Sequence, residues 1–102
     1  MKEPILLCAA SDIPPGSMKG FNIGAQEEVL VANLDGVFYA VGNVCPHRAA
    51  GLAQGQLHDA EITCPWHEWK FDVRTGKGIT NPHSSVKQYE VLLKEGKLYI
   101  RL

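Results

Sequence analysis

Apolar residues along the chain come in short runs that mostly alternate with polar ones. Gly, Pro, Asp and Asn interrupt them about every ten residues, the rhythm of strands and tight turns. "EPILLCA" reads as a first strand, and "MKGFNI" and "EEVLVANL" as the next two. In "LDGVFYAV" the pair Asp35-Gly36 lies between two apolar runs, a strong hairpin signal. "AEITC" and "WKFDV" read as strands leading into and out of a short loop, and "RTGKG" as a turn. The closing "VKQYEVLLKEGKLYIRL" sets Val86, Tyr89, Val91, Leu93, Leu98, Ile100 and Leu102 at mostly alternating positions about Glu95-Gly96, hence a hairpin. Pro14 and Pro15 in "SDIPPGS" exclude helix there. Helical periodicity is weak throughout. The predicted fold class is all-β: a small antiparallel sandwich or barrel. Residues 1–102 form one domain, with an inserted subdomain bounded roughly by Val41 and Phe71.

Composition narrows the function. A chain of 102 residues can bury a modest single core. Ten basic residues stand against eleven acidic ones, for a net charge of −1, and the basic residues form no run. Nucleic-acid binding by bulk charge is excluded. No apolar stretch approaches the roughly 20 residues of a membrane span. Ile5 to Ala10 is too short for a signal peptide's apolar core and reads better as a strand. Three cysteines are an odd count, which argues against a disulfide framework and for a reducing, cytoplasmic setting. In that setting Cys and His at short spacing point to metal.

The stretch "CPHRAAGLAQGQLHDAEITCPWHEW", Cys45 to Trp69, holds two of the three cysteines and three of the four histidines. Cys45 and His47 are one residue apart, Cys64 and His67 two apart, and sixteen residues separate the pairs. Two thiolates and two imidazoles suit zinc, a mononuclear iron or an iron–sulfur cluster. Structural zinc sites usually pair Cys with Cys and His with His at short range. Here each pair mixes the two. A two-iron cluster accounts for the mixing: one Cys from each loop on one iron, one His from each loop on the other.

At these residues the chain resembles the Rieske ferredoxin family. "CPH", sixteen residues and "CPWH" match its C-x-H…C-x₂-H pattern. The flanking "VGNVCPHR" and "CPWHEWKFDVRTGKG", "SDIPPG" near the start and the closing hairpin extend the likeness over nearly the whole chain. The resemblance implies a Rieske-type [2Fe–2S] cofactor, with Cys45 and Cys64 on one iron and His47 and His67 on the other. It also implies that the imidazoles lie at the loop tips, the natural electron exit. Two ferric ions, two sulfides and two thiolates sum to zero formal charge, whereas an all-cysteine cluster would carry −2. An electron enters the neutral unit at less cost, so histidine ligation raises the potential.

Departures from the pattern carry information. Relatives in respiratory complexes have an extra cysteine in each loop, forming a disulfide; Ala50 and Trp66 stand there instead. Those relatives also place serine and tyrosine hydroxyls near the cluster sulfurs, where this chain has Trp69 and Phe71. Fewer hydrogen bonds to sulfur stabilise the reduced state less, which points to the low-potential, oxygenase-associated branch at roughly −150 mV. Glu68 replaces the usual glycine after the second histidine; its carboxylate either opposes the added electron or is simply solvated. Asn81-Pro82 stands where the family has a proline loop over the cluster.

The remaining residues have plainer readings. Pro46 and Pro65 bias the cysteines before them toward extended geometry. Trp66, Trp69 and Phe71 pack the subdomain. His58 and His83 are spare: His58 reads as a surface histidine at a strand start. Cys8 reads as a buried apolar residue of the first strand. The expected protein is a soluble monomeric electron carrier, not an enzyme, taking electrons from a flavin-dependent reductase to a terminal oxygenase. The alternatives are the small subunit of an NAD(P)H-dependent nitrite reductase, paired with its large subunit, and a zinc-stabilised interaction module. No second metal triad of two histidines and a carboxylate is evident, nor a G-x-G-x-x-G fingerprint.

Overall fold

"EVLVANL" shows no polar alternation because the strand it forms is buried on both faces. The computed structural model describes residues 4–23, 28–43, 51–64, 69–80 and 85–101. Among these residues the chain forms β1 (Ile5–Ala9), β2 (Met18–Asn22), β3 (Glu28–Leu34), β4 (Val37–Gly42), β5 (Gln56–His58), β6 (Glu61–Thr63), β7 (Lys70–Asp72), β8 (Gln88–Lys94) and β9 (Lys97–Arg101). A six-stranded sheet runs β1-β9-β8-β4-β3-β2, and a three-stranded sheet runs β5-β6-β7. Every pairing between them is antiparallel. The fold class is all-β, as the pattern predicts.

β3 and β4 are the wall shared by two cores. Val29, Val31 and Ala40 face one side, where Ile13, Tyr89, Leu98 and Ile100 complete the first core. Leu30, Ala32 and Val41 face the other, joined by Leu52, Ile62, Cys64, Phe71, Val73 and Val86. Period-two geometry sorts the run cleanly between the two sides. Each buried aliphatic side chain contributes about 1.5–3 kcal/mol relative to exposure.

The turns follow local chemistry. Asp35 and Gly36 have φ of 57° and 97°, and Glu95 and Gly96 have 54° and 76°. Two successive left-handed residues make the type I′ turn, whose twist matches the flanking strands. Buried Asn33 ties the "SDIPPGS" segment to the first of these hairpins. Its Nδ2 donates to the Ile13 carbonyl (2.7 Å), and its Oδ1 accepts from the Gly36 amide (2.7 Å).

Some elements were not foreseen. β5 and the 3₁₀ turns at Ala10–Asp12 and Leu52–Gln54 are three residues each, too short to show a period. His58 ends β5 rather than starting a strand, and its side chain is 88% exposed. Cys8 is half-buried, packed against the first core at the edge of the sheet, not fully buried as expected. β4 and β8 are neighbours in the large sheet, so the chain between Gly42 and Gln88 is an excursion from it that contains the whole small sheet.

Candidate metal centre

Three stretches have both ends fixed at the second core. The first lies between Asn43 and Gly51. The Leu52 amide donates to the Asn43 carbonyl (2.6 Å), and the Ala53 amide donates to Asn43 Oδ1 (2.8 Å). The second lies between Cys64 and Trp69, where the Cys64 amide donates to the Trp69 carbonyl (2.6 Å). The third lies between Thr80 and Ser85. On one side the Ile79 amide donates to the Lys70 carbonyl (2.8 Å) and Thr80 Oγ1 accepts from the Lys70 amide (3.1 Å). On the other the Val86 amide donates to the Gly76 carbonyl (2.7 Å). Leu52, Cys64 and Val86 belong to one buried cluster, and Trp69 packs against it. Three necks therefore stand on one piece of core.

Of the four sequence-derived ligands, the structure describes Cys64. It sits at the end of β6, 1% exposed, in the core with Phe71 and Leu52. Cys45, His47 and His67 lie outside the described residues, as do Pro46, Ala50, Pro65, Trp66, Glu68, Asn81, Pro82 and His83. A thiolate as buried as Cys64 is costly unless a cation neutralises it. A donor set of two thiolates and two imidazoles holding iron does so, and the residues present fit a [2Fe–2S] group.

The surroundings agree with the packing roles read from the sequence. Phe71 is fully buried and Trp69 half-buried against the same cluster. Neither carries a hydroxyl. On the far side of β7, Arg74 grips Asp72 through Nε to Oδ1 (3.1 Å) and Nη2 to Oδ2 (3.0 Å). Those bonds hold the Asp72 carboxyl below its usual range. At the framework edge, partial burial pushes the Cys8 thiol up, helped by Asp12 and opposed by Lys19.

Sequence reasoning missed two supporting residues. Asn43 closes the first neck; its only sequence signal is a polar amide at a strand end, two residues ahead of Cys45. Gly76 has φ +81°, and a methyl group there would overlap the Val86 carbonyl oxygen at the third neck. "RTGKG" read as a turn without showing which glycine the packing needs.

The described residues form a small antiparallel β framework with Cys64 buried at the end of β6. The model of the Rieske [2Fe–2S] domain matches residues 3–90, and the chain belongs to that family. The ferredoxin component of the alkene monooxygenase system of Xanthobacter autotrophicus is 32% identical over 99 residues, spanning 96% of this chain and 80% of that protein. A chain in the complex of reduced oxygenase and oxidized ferredoxin in carbazole 1,9a-dioxygenase matches with a TM-score of 0.90 at 33% identity, covering 95% of this chain and 91% of that one. A Mycobacterium tuberculosis chain described as an NADH-dependent nitrite reductase small subunit matches with a TM-score of 0.88 at 25% identity, covering 100% and 97%. The cofactor is a Rieske-type [2Fe–2S] cluster, and the chain is an electron carrier rather than a catalyst. No helix of the described residues is long and apolar enough to cross a membrane.

Proposed function

We propose that this ferredoxin carries one electron at a time from a flavin-dependent reductase to a terminal oxygenase, as a cytoplasmic monomer. Cys45 and Cys64 hold one iron and His47 and His67 the other, within a cluster-binding subdomain of residues 41–71. The observation that carries the reading is the buried Cys64 at a neck that shares its core with the other two. Relatives named as ferredoxin components of oxygenase systems support the choice of partner.

When bound, the cluster supplies a site that gains and loses a single electron at modest potential. The chain's own residues do the rest. The Cys64 backbone is anchored by the hydrogen bond from its amide to the Trp69 carbonyl, and the residue is buried in the core. Leu52, Phe71 and Val86 exclude water beneath it. Trp69 and Phe71 offer no hydroxyl donor, which keeps the potential near the low end of the Rieske range, roughly −150 mV. A redox titration giving more than about +100 mV would contradict this.

Replacing His47 or His67 with Ala should abolish the native visible spectrum, whereas His58→Ala should leave it intact because that side chain is exposed. Bleaching by His58→Ala but not by His67→Ala overturns the ligand set. Two irons and two labile sulfides per chain are expected. Stoichiometric zinc without sulfide, in a preparation made to load clusters, overturns the cofactor.

The nitrite reductase likeness favours a second reading, an accessory subunit bound to a large reductase. Isolation from native cells distinguishes the two. A stable complex with a large reductase supports the subunit, and a free carrier supports the ferredoxin.

A further inference from the structure

Asn43 is 6% exposed and uses both ends of its amide. Its Oδ1 accepts from the Ala53 amide (2.8 Å), and its carbonyl accepts from the Leu52 amide (2.6 Å), both on the far side of the first neck. Its Nδ2 donates to Glu28 Oε1 (3.1 Å) and its backbone amide to the Glu28 carbonyl (2.9 Å), both on β3. Glu28 itself is exposed at the strand end. The Glu28 carboxylate thus orients an amide that in turn fixes where the loop re-enters the fold.

β2 makes room for this arrangement. An added Cβ at Gly20 would lie 3.1 Å from Ala53 Cβ and 3.2 Å from Asn43 Nδ2. Both distances are tighter than ordinary contact, so the bare backbone of Gly20 lets the Leu52–Gln54 turn seat against the sheet. An aliphatic residue at 43 would leave the Ala53 amide without its acceptor, and an acid there would face the Glu28 carboxylate.

We infer that Asn43, oriented by Glu28, is a positioning residue for the cluster: together they fix the separation of the two ends of the loop that bears Cys45 and His47. The inference rests on the ligand set proposed above. Groups hydrogen-bonded directly to metal ligands are worth about tenfold to hundredfold in metal retention. Asn43 and Glu28 act one step further out, through the ends of the loop, so an effect at the low end of that range is expected.

A donor–acceptor swap tests it. The single variant Asn43→Asp keeps the acceptor for Ala53 but sets two carboxylates against each other. The double variant Glu28→Gln/Asn43→Asp restores the contact in reverse: the new amide donates to the new carboxylate at unchanged net charge. Glu28→Ala and Glu28→Gln form a second pair that alters only an exposed side chain. The readouts are the rate of cluster loss to a chelator and the g-values and line width of the reduced cluster's paramagnetic resonance.

Asn43→Asp and Glu28→Ala should each speed cluster loss about tenfold and broaden the resonance. The double variant and Glu28→Gln should return both readouts to near the parent. Parent-like behaviour of Glu28→Ala, or failure of the double variant to recover, overturns the inference. Amide hydrogen exchange at Ala53, measured without regard to the cluster, separates this failure from failure of the cofactor reading. Faster exchange in Glu28→Ala, with no Rieske resonance in the parent, upholds the strut at the neck and overturns its role in positioning a cluster.

Discussion

The two sheets meet unlike demands. The strands of the six-stranded sheet are five to seven residues long, and its β3-β4 and β8-β9 hairpins close through type I′ turns. β3 and β4 bury residues on both faces. In the small sheet every strand is three residues long. A hairpin of that length is not stable alone in water. It persists because Ile62 and Phe71 are buried against Leu30, Ala32 and Val41 of the framework. The large sheet supplies its own stability, and the small one borrows it through one core. The segments proposed to hold the cluster are anchored on that borrowed core, so anything that loosens it should reach the cluster first.

The largest expected effect separates the two cores. Phe71→Ala should cost about 3–5 kcal/mol, from lost burial plus the cavity left behind. It should also weaken cluster retention, because Phe71 shares its core with Cys64. Ile100→Ala, in the framework core, should cost about 2–5 kcal/mol. The cluster spectrum per folded molecule should be unchanged in that variant. Urea unfolding followed by circular dichroism gives the first quantity, and visible absorbance per folded chain the second. Equal cluster loss in the two variants would mean that the cores act as one.

Much of this division was legible in the sequence. The hairpins at Asp35-Gly36 and Glu95-Gly96, the closing pair of strands and the all-β class follow from period-two patterning and turn chemistry. The family was legible too, since mixed Cys/His pairs at these spacings have few explanations. What did not show was tertiary. β5 is too short to carry a period. The role of Asn43 depends on Glu28, fifteen residues earlier, and on Ala53, ten residues later. Gly76 matters because the Val86 backbone, distant in sequence, crosses next to it. Cys8 looked buried because its run is wholly apolar, but it lies on an edge strand, where one neighbour is missing.

A middle-sized effect compares two glycines of like conformation. Gly36 and Gly76 have φ of 97° and 81°. Any L-residue there costs about 1–2 kcal/mol from backbone strain. At Gly36 a new methyl meets open space, so Gly36→Ala should cost only that. At Gly76 it also meets the Val86 carbonyl oxygen, which is backbone and cannot swing aside. Overpacking adds about 1–3 kcal/mol, and the strain falls at the neck of the third segment. Gly76→Ala should therefore lower the urea midpoint more than Gly36→Ala and speed cluster release, which Gly36→Ala should not. Equal midpoints would show that the Val86 backbone yields.

The smallest effect concerns the strap between the sheets. Asp72 at the end of β7 takes two bonds from the Arg74 guanidinium and one from the Arg74 amide. The Arg74 carbonyl in turn accepts from Gln88 Nε2 (2.7 Å) on β8. The small sheet is thus tied to the large one by polar contacts as well as by core. The Arg74 side chain is 56% exposed, so water and salt screen the pair and its contribution is slight. Its pH dependence has a definite sign. The Asp72 carboxyl is held below its usual range in the folded protein, first by the Arg74 side-chain bonds. The unfolded chain therefore takes up the proton more readily. The stabilisation is present above the unfolded value of about 3.9 and is lost as pH falls through the folded value. Asp72→Asn should lower the urea midpoint slightly at pH 7, and the gap between parent and variant should close in strong acid. It should also narrow at high ionic strength, since the interaction is screened. A gap that persists in acid and in salt would mean that the carboxylate charge is irrelevant, since the variant's amide oxygen can still accept the bond from the Arg74 amide.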